Sequence, residues 1–174
     1  MNAMQYRETY MNLSRYNSEE RKILNSRMTL YKNLSQMAAI ICFVLICLFS
    51  LLPSRDIPST SIFPFADKGA HALAYTGFGL FVFLTKASAI FSKNIVDDEN
   101  DVINWIFNPI LHVYILGVPL GIIIEFIQSK VGRSFDLLDW LADTIGLTFG
   151  IIVAIIIVKL VFSYRFTKVG EIEA

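Results

Sequence analysis

Apolar positions along the chain gather into four long runs, separated by shorter polar segments. The runs cover residues 34–52, 67–84, 109–128 and 137–162. Each is close to or beyond the roughly 18 residues that a helix needs to cross about 30 Å of hydrocarbon. None shows the two-residue alternation of a half-buried strand. The pattern predicts an all-α membrane protein, a bundle of four transmembrane helices. The run from Leu34 to Leu52 carries no charge and is predicted to face lipid at the edge of the bundle. It follows too long a leader and lacks a small-residue cleavage pattern, which reads as an uncleaved anchor. Pro53, Pro58 and Pro64 punctuate the loop after it, and Pro119 predicts a kink in the third run.

The other three runs are not uniformly apolar. At about 100° per residue, Asp67, His71 and Tyr75 fall within roughly an 80° sector of the second helix. On the third, Gly117, Gly121, Glu125 and Gln128 line up in the same way. Asp136, Asp139, Asp143, Gly146, Gly150 and Ala154 do so on the fourth. The third and fourth helices therefore each carry a stripe that is polar at one end and made of small residues at the other. Small residues four apart let helices approach closely, so the stripes predict a packing seam that opens into a polar site. Because successive spans alternate in direction, all three polar ends fall at one membrane face. Asp143 lies about 9 Å deeper than Leu137. A charge at such depth costs about 3 kcal/mol on insertion scales, so these positions are candidates for function.

Charge then sets an orientation. The segment 1–33 carries six basic residues, Arg7, Arg15, Arg21, Lys22, Arg27 and Lys32. Lys86 and Lys93 lie in the loop expected at 85–108, and Arg165 and Lys168 in the last segment, on the same side. The other side has Arg55, Lys68, Lys130 and Arg133. Excess basic residues mark the cytoplasmic side, so both termini are predicted to be cytoplasmic and the polar site to lie in the outer leaflet. The expected organisation is a cytoplasmic tail at 1–33, a four-span domain at 34–162 and a second tail at 163–174. Ser18, Glu19 and Glu20 look like a helix start. A juxtamembrane helix on anionic lipid, with Ile23, Leu24, Met28, Tyr31 and Leu34 as its apolar side, and a solvated tail both fit this first segment.

Composition narrows the classes. The 174 residues are 55% hydrophobic with no net charge, and the mean hydropathy is +0.55, which excludes an ordinary soluble domain. A neutral chain without a basic stripe gives no sign of nucleic-acid binding. The two cysteines, Cys42 and Cys47, project about 140° apart on one helix and read as apolar fillers. Asp97, Asp98, Glu99 and Asp101 lack calcium-loop spacing and read as a solvated loop.

The polar residues permit three chemistries. In one, they line a pocket for a lipid-linked or amphiphilic molecule. Lys68 and Arg133 would take a phosphate, Glu125 or Asp139 would act as general base, and His71 as acid, with Gln128, Tyr75, Asp136 and Asp143 as further ligand contacts. In the second, Asp67, His71, Glu125 and Asp139 hold a divalent metal such as manganese, magnesium or zinc. In the third, the charges pair internally, Arg133 with Asp139 and His71 with Glu125, and lock the bundle without chemistry. His71, Glu125, Arg133 and Asp139 are expected to converge around one outer-leaflet cavity, with His71 and Glu125 close enough to pair directly or through one ion or water. His112 lies toward the other end, and Trp105 and Trp140 fit aromatic belts.

Two blocks resemble the VanZ-like family of bacterial membrane proteins. One is Asp67-Lys68-x-x-His71-x-x-x-Tyr75. The other is Glu125-x-x-Gln128, followed by Gly132-Arg133-x-x-Asp136-x-x-Asp139-x-x-Ala142-Asp143-x-x-Gly146-x-x-x-Gly150. The resemblance covers about residues 34–162. Asp143 stands where the family pattern often has asparagine, which adds an acid. The resemblance implies a multi-span protein of the bacterial cytoplasmic membrane, linked to the cell envelope and, in founding members, to glycopeptide (teicoplanin) resistance. Together with the residues it favours binding or modification of an envelope amphiphile in the outer leaflet. A non-catalytic scaffold or partner of another membrane enzyme is the alternative. An ion pathway ranks third, since the inner half offers no relay beyond His112.

Overall fold

The computed structural model describes residues 18–50, 66–94, 102–130 and 136–170. They form four α-helices, α1 Ser18–Ser50, α2 Ala66–Asn94, α3 Val102–Gln128 and α4 Leu137–Gly170. All four are long and apolar enough to cross a membrane, over Lys22–Ser50, Lys68–Ser92, Ile106–Gln128 and Leu137–Val161. This is an integral membrane protein.

The helices outrun the apolar stretches that predicted them. The loop expected at 85–108 is helical over 85–94 and again over 102–108. The segment after Leu84, TKASAIFSKN, contains neither proline nor glycine, so nothing in its backbone chemistry stops α2 where polarity rises. Ala87, Ser88 and Phe91 are buried there. Helix α1 likewise runs unbroken from Ser18 into the first span, making one rod of what reads as two segments. Near its start, Lys22 pairs with Glu19 at 2.9 Å on the exposed surface. Helix α3 continues through both Pro109 and Pro119. The proline-rich loop, the acidic cluster at 97–101 and the two tails' outer ends lie outside the described residues.

Helix α2 is the hub: it packs on α1, α3 and α4, and its contact with α4 is the most extensive. Helix α1 leans on α2 through Ala39 and Ile46, while Met37, Ile40, Ile41 and Leu48 face outward. The core joins Tyr75, Phe78 and Phe83 of α2 to Val113 and Ile124 of α3 and Leu147, Ile151 and Ala154 of α4. Outward faces are apolar too, as with Ile115, Ile122 and Phe126 on α3 and Leu141, Ile145 and Phe149 on α4. With greasy residues on both sides, hydrophobic burial alone does not hold helices together in lipid. Close packing does.

The small-residue seam supplies that packing. A Cβ on Gly146 would collide with the main-chain carbonyl of Ala72, and one on Gly150 with that of Thr76. Those are backbone atoms, which cannot rotate away. Leu147, fully buried, sits over Gly79 of α2 and Gly117 of α3, so a single side chain keys three helices. Threonine hydroxyls along the seam are bonded within the bundle. Thr76 and Thr144 each donate to a carbonyl four residues back, and the Thr148 hydroxyl pairs with that of Tyr114 across α3 and α4 at 2.9 Å.

Candidate functional site

The start of α2, the end of α3 and the start of α4 meet at one end of the bundle. Asp136 builds the corner. As N-cap of α4 it accepts the Leu138 N–H on its carboxylate at 2.8 Å, and its carbonyl receives the Asp139 N–H at 3.1 Å. Its own N–H donates to Glu125 Oε2 of α3 at 3.0 Å, tying the α3–α4 connection to the site.

Lys68 reaches across from α2 and donates to Asp136 at 2.6 Å and to Asp139 at 2.7 Å. The Lys68 ammonium, together with the Leu138 N–H, holds the Asp136 carboxyl below the usual carboxylate range. One turn deeper, His71 Nδ1 pairs with Asp143 Oδ1 at 3.0 Å. The neighbouring Tyr75 hydroxyl lies near Asp143 without hydrogen-bond geometry. His71, Glu125 and Asp139 each present a ligand atom, and these lie within 4.8 Å of one another.

Burial is what sets this cluster apart. Glu125 is 0% exposed, Asp143 1% and Asp139 4%, all in helices otherwise built for hydrocarbon. Four atoms there lack a hydrogen-bond partner: Tyr75 OH, Glu125 Oε1, Gln128 Nε2 and Asp143 Oδ2. A buried polar group without a partner costs about 1–3 kcal/mol, and more when charged. Such groups call for an explanation beyond core packing.

Most of the expected site residues have a place in the described structure. Lys68, His71, Tyr75, Glu125, Gln128, Asp136, Asp139 and Asp143 all lie at this end. Arg133 and the side chain of Asp67 lie outside the described residues. Asp139 is paired with Lys68 and His71 with Asp143, partners set by how α2 registers against α4. The expected Arg133–Asp139 pair involves a residue outside the described ones, and ligand atoms of His71 and Glu125 lie within 4.8 Å of each other. The Trp140 indole N–H donates to the Val118 carbonyl of α3 at 3.3 Å. Tyr114 and Thr148 were not singled out from sequence, and no periodicity distinguishes them from core.

The match to known families fits this geometry. The model of the VanZ/LLP1 family matches residues 9–159. The chain belongs to the VanZ/LLP1 family. Neither a curated protein nor a solved structure matches the chain. The VanZ/LLP1 match begins well before residue 34, where the resemblance of the motif blocks starts, so it takes in the whole of α1, α2 and α3 and most of α4. In this VanZ/LLP1 protein the two motif blocks are the two halves of one polar cluster, brought together by the α2–α4 seam. A separate groove of about 580 Å³ lies between α1, α2 and α3 toward the other end, lined by apolar residues with Lys32, Lys86 and His112. None of the cluster residues lines it.

Proposed function

We propose that this VanZ/LLP1 protein binds, and is equipped to modify, the polar head of an amphiphilic or lipid-linked envelope molecule at the α2–α3–α4 cluster. The observation that carries this is the burial of Glu125, Asp139 and Asp143 with partner-less oxygens on Glu125 and Asp143. The headgroup would meet Lys68, whose ammonium spends two donors on Asp136 and Asp139 and has a third to offer. Glu125 would serve as base and His71, steadied by Asp143, as acid. The family's founding link to glycopeptide resistance makes teicoplanin susceptibility the practical readout. We assign the cluster to the outer leaflet of the bacterial cytoplasmic membrane and both termini to the cytoplasm.

A scaffold role is the second reading, favoured by the ion pairs Lys68–Asp139 and His71–Asp143, which would also lock the bundle. Glu125→Gln separates the two. The substitution preserves shape and can still accept the Asp136 N–H, but removes the base. Cells carrying it are expected to lose teicoplanin protection at unchanged protein level. Full protection would remove Glu125 from the chemistry and leave the scaffold reading.

Orientation has its own check. With Cys42 and Cys47 replaced, single cysteines at 53–66 and 129–135 are expected to label from outside and those at 95–101 only from inside. Labelling of a cysteine at Ser129 from the cytoplasmic side would reverse the assignment.

A further inference from the structure

We propose that His71, Glu125 and Asp139 form a binding site for one divalent transition-metal ion, zinc by preference. One ligand comes from each of α2, α3 and α4. The three residues are 7%, 0% and 4% exposed, with ligand atoms inside a 4.8 Å span. Ligands held at about 2.0–2.2 Å from a metal stand roughly 3.3–4.2 Å apart, so small side-chain rotations close the set.

Two independent features go beyond a group of acids. The first is Glu125 Oε1, buried among carboxylates with no hydrogen-bond partner, the kind of acceptor a cation satisfies. The second is that every proposed ligand is already held from behind. Asp143 grips His71 Nδ1 at 3.0 Å, which in a neutral ring leaves the lone pair on Nε2. The Asp136 N–H fixes Glu125 Oε2 at 3.0 Å, and Lys68 fixes Asp139 Oδ1 at 2.7 Å. Outer partners of this sort orient metal ligands, and the Asp143 carboxylate also raises the basicity of the His71 ring.

Charge points the same way. Within the cluster the carboxylates of Glu125, Asp136, Asp139 and Asp143 meet the Lys68 ammonium and the His71 imidazole. Lys130, on the same side, is turned over the Phe126 ring at 5.2 Å. A divalent ion would offset the surplus negative charge in a low-dielectric setting. One imidazole and two carboxylates suit zinc or manganese better than magnesium or calcium, which prefer all-oxygen shells. Three protein ligands leave a position open, where a headgroup oxygen of the proposed amphiphile could bind. The metal site itself does not require that amphiphile.

The test uses tag-free full-length protein in nanodiscs, stripped with chelator and titrated separately with zinc, manganese, magnesium and calcium chlorides. Metal content after desalting and the shift in melting temperature are read together. Wild type is expected to retain about one zinc per chain, to bind manganese more weakly, and to melt higher when loaded. His71→Ala and Glu125→Gln should lose retention, Asp143→Asn should weaken affinity by roughly 10–100-fold, and His112→Ala should bind as wild type. The wild-type arm stands even if a variant fails to fold. Absence of retained zinc and manganese in wild type would overturn the site. So would equal loss in His112→Ala and His71→Ala. Teicoplanin protection lost in Glu125→Gln with no metal bound by wild type would reject the metal while sparing the amphiphile reading.

Discussion

Gly146→Leu or Gly150→Leu is expected to abolish most folded protein, whereas Ile155→Leu leaves the yield near wild type. The Cβ alone would strike the Ala72 or Thr76 carbonyl, and the remaining side chain has no space between α2 and α4. Helix α4 would have to move away bodily. That displaces Leu147 from its seat over Gly79 and Gly117 and separates Lys68 and His71 from their acids. Overpacking at a yielding site costs about 1–3 kcal/mol, and a rigid backbone contact pushes beyond that range. Ile155 is partly buried against the core, and its volume-conserving exchange costs under about 1.5 kcal/mol. Monodisperse yield after detergent extraction measures the difference. Equal yields from all three variants would mean the glycine stripe is not the seam.

Lys68→Met is the second large effect. It leaves the Asp139 side chain, 6% exposed, without the ammonium that offsets it, and releases Asp136 from the same partner. Breaking a buried pair from one side costs about 3–5 kcal/mol. Lys68 is 24% exposed and Asp136 36%, so solvent screening brings the expected loss nearer 2 kcal/mol. The double variant Lys68→Met with Asp139→Asn should recover much of it, because the orphaned charge is then gone. Additive losses in that cycle would show that the pair carries no coupling. The pair also predicts acid sensitivity. The Asp136 carboxyl is depressed in the folded protein, so its contribution is complete above the unfolded value of about 3.9 and is lost as pH falls through the lower folded one.

The fold was legible because lipid imposes a coarse rule: long apolar runs must be helices, and four of them appear. The seam was legible because glycines at 117, 121, 146 and 150 keep helical spacing with the polar residues beyond them. Helix ends were not, since hydropathy marks where a chain leaves lipid rather than where its hydrogen bonds stop. This is why α2 runs to Asn94 and α1 starts at Ser18. Within the site, periodicity put His71, Glu125 and Asp139 on inward stripes, but it holds no information on rotation between helices. Which acid meets His71 depends on the register that Gly146 sets against Ala72, and that register gives Asp143. Asp136 illustrates the same limit. Its sequence position suits a cap, yet only the fold shows its N–H bound to Glu125.

The central claim is that the buried cluster is kept for a ligand and not for the bundle, and the melting temperature of chelator-treated Glu125→Gln tests it most directly. Glu125 Oε1 lacks a partner and lies among the other carboxylates, so an amide there removes repulsion and brings a donor toward them. The account predicts a melting temperature equal to or above wild type, by up to about 1 kcal/mol of added stability, in a protein that no longer protects against teicoplanin. A clearly lower melting temperature with protection intact would contradict it and make Glu125 a structural brace.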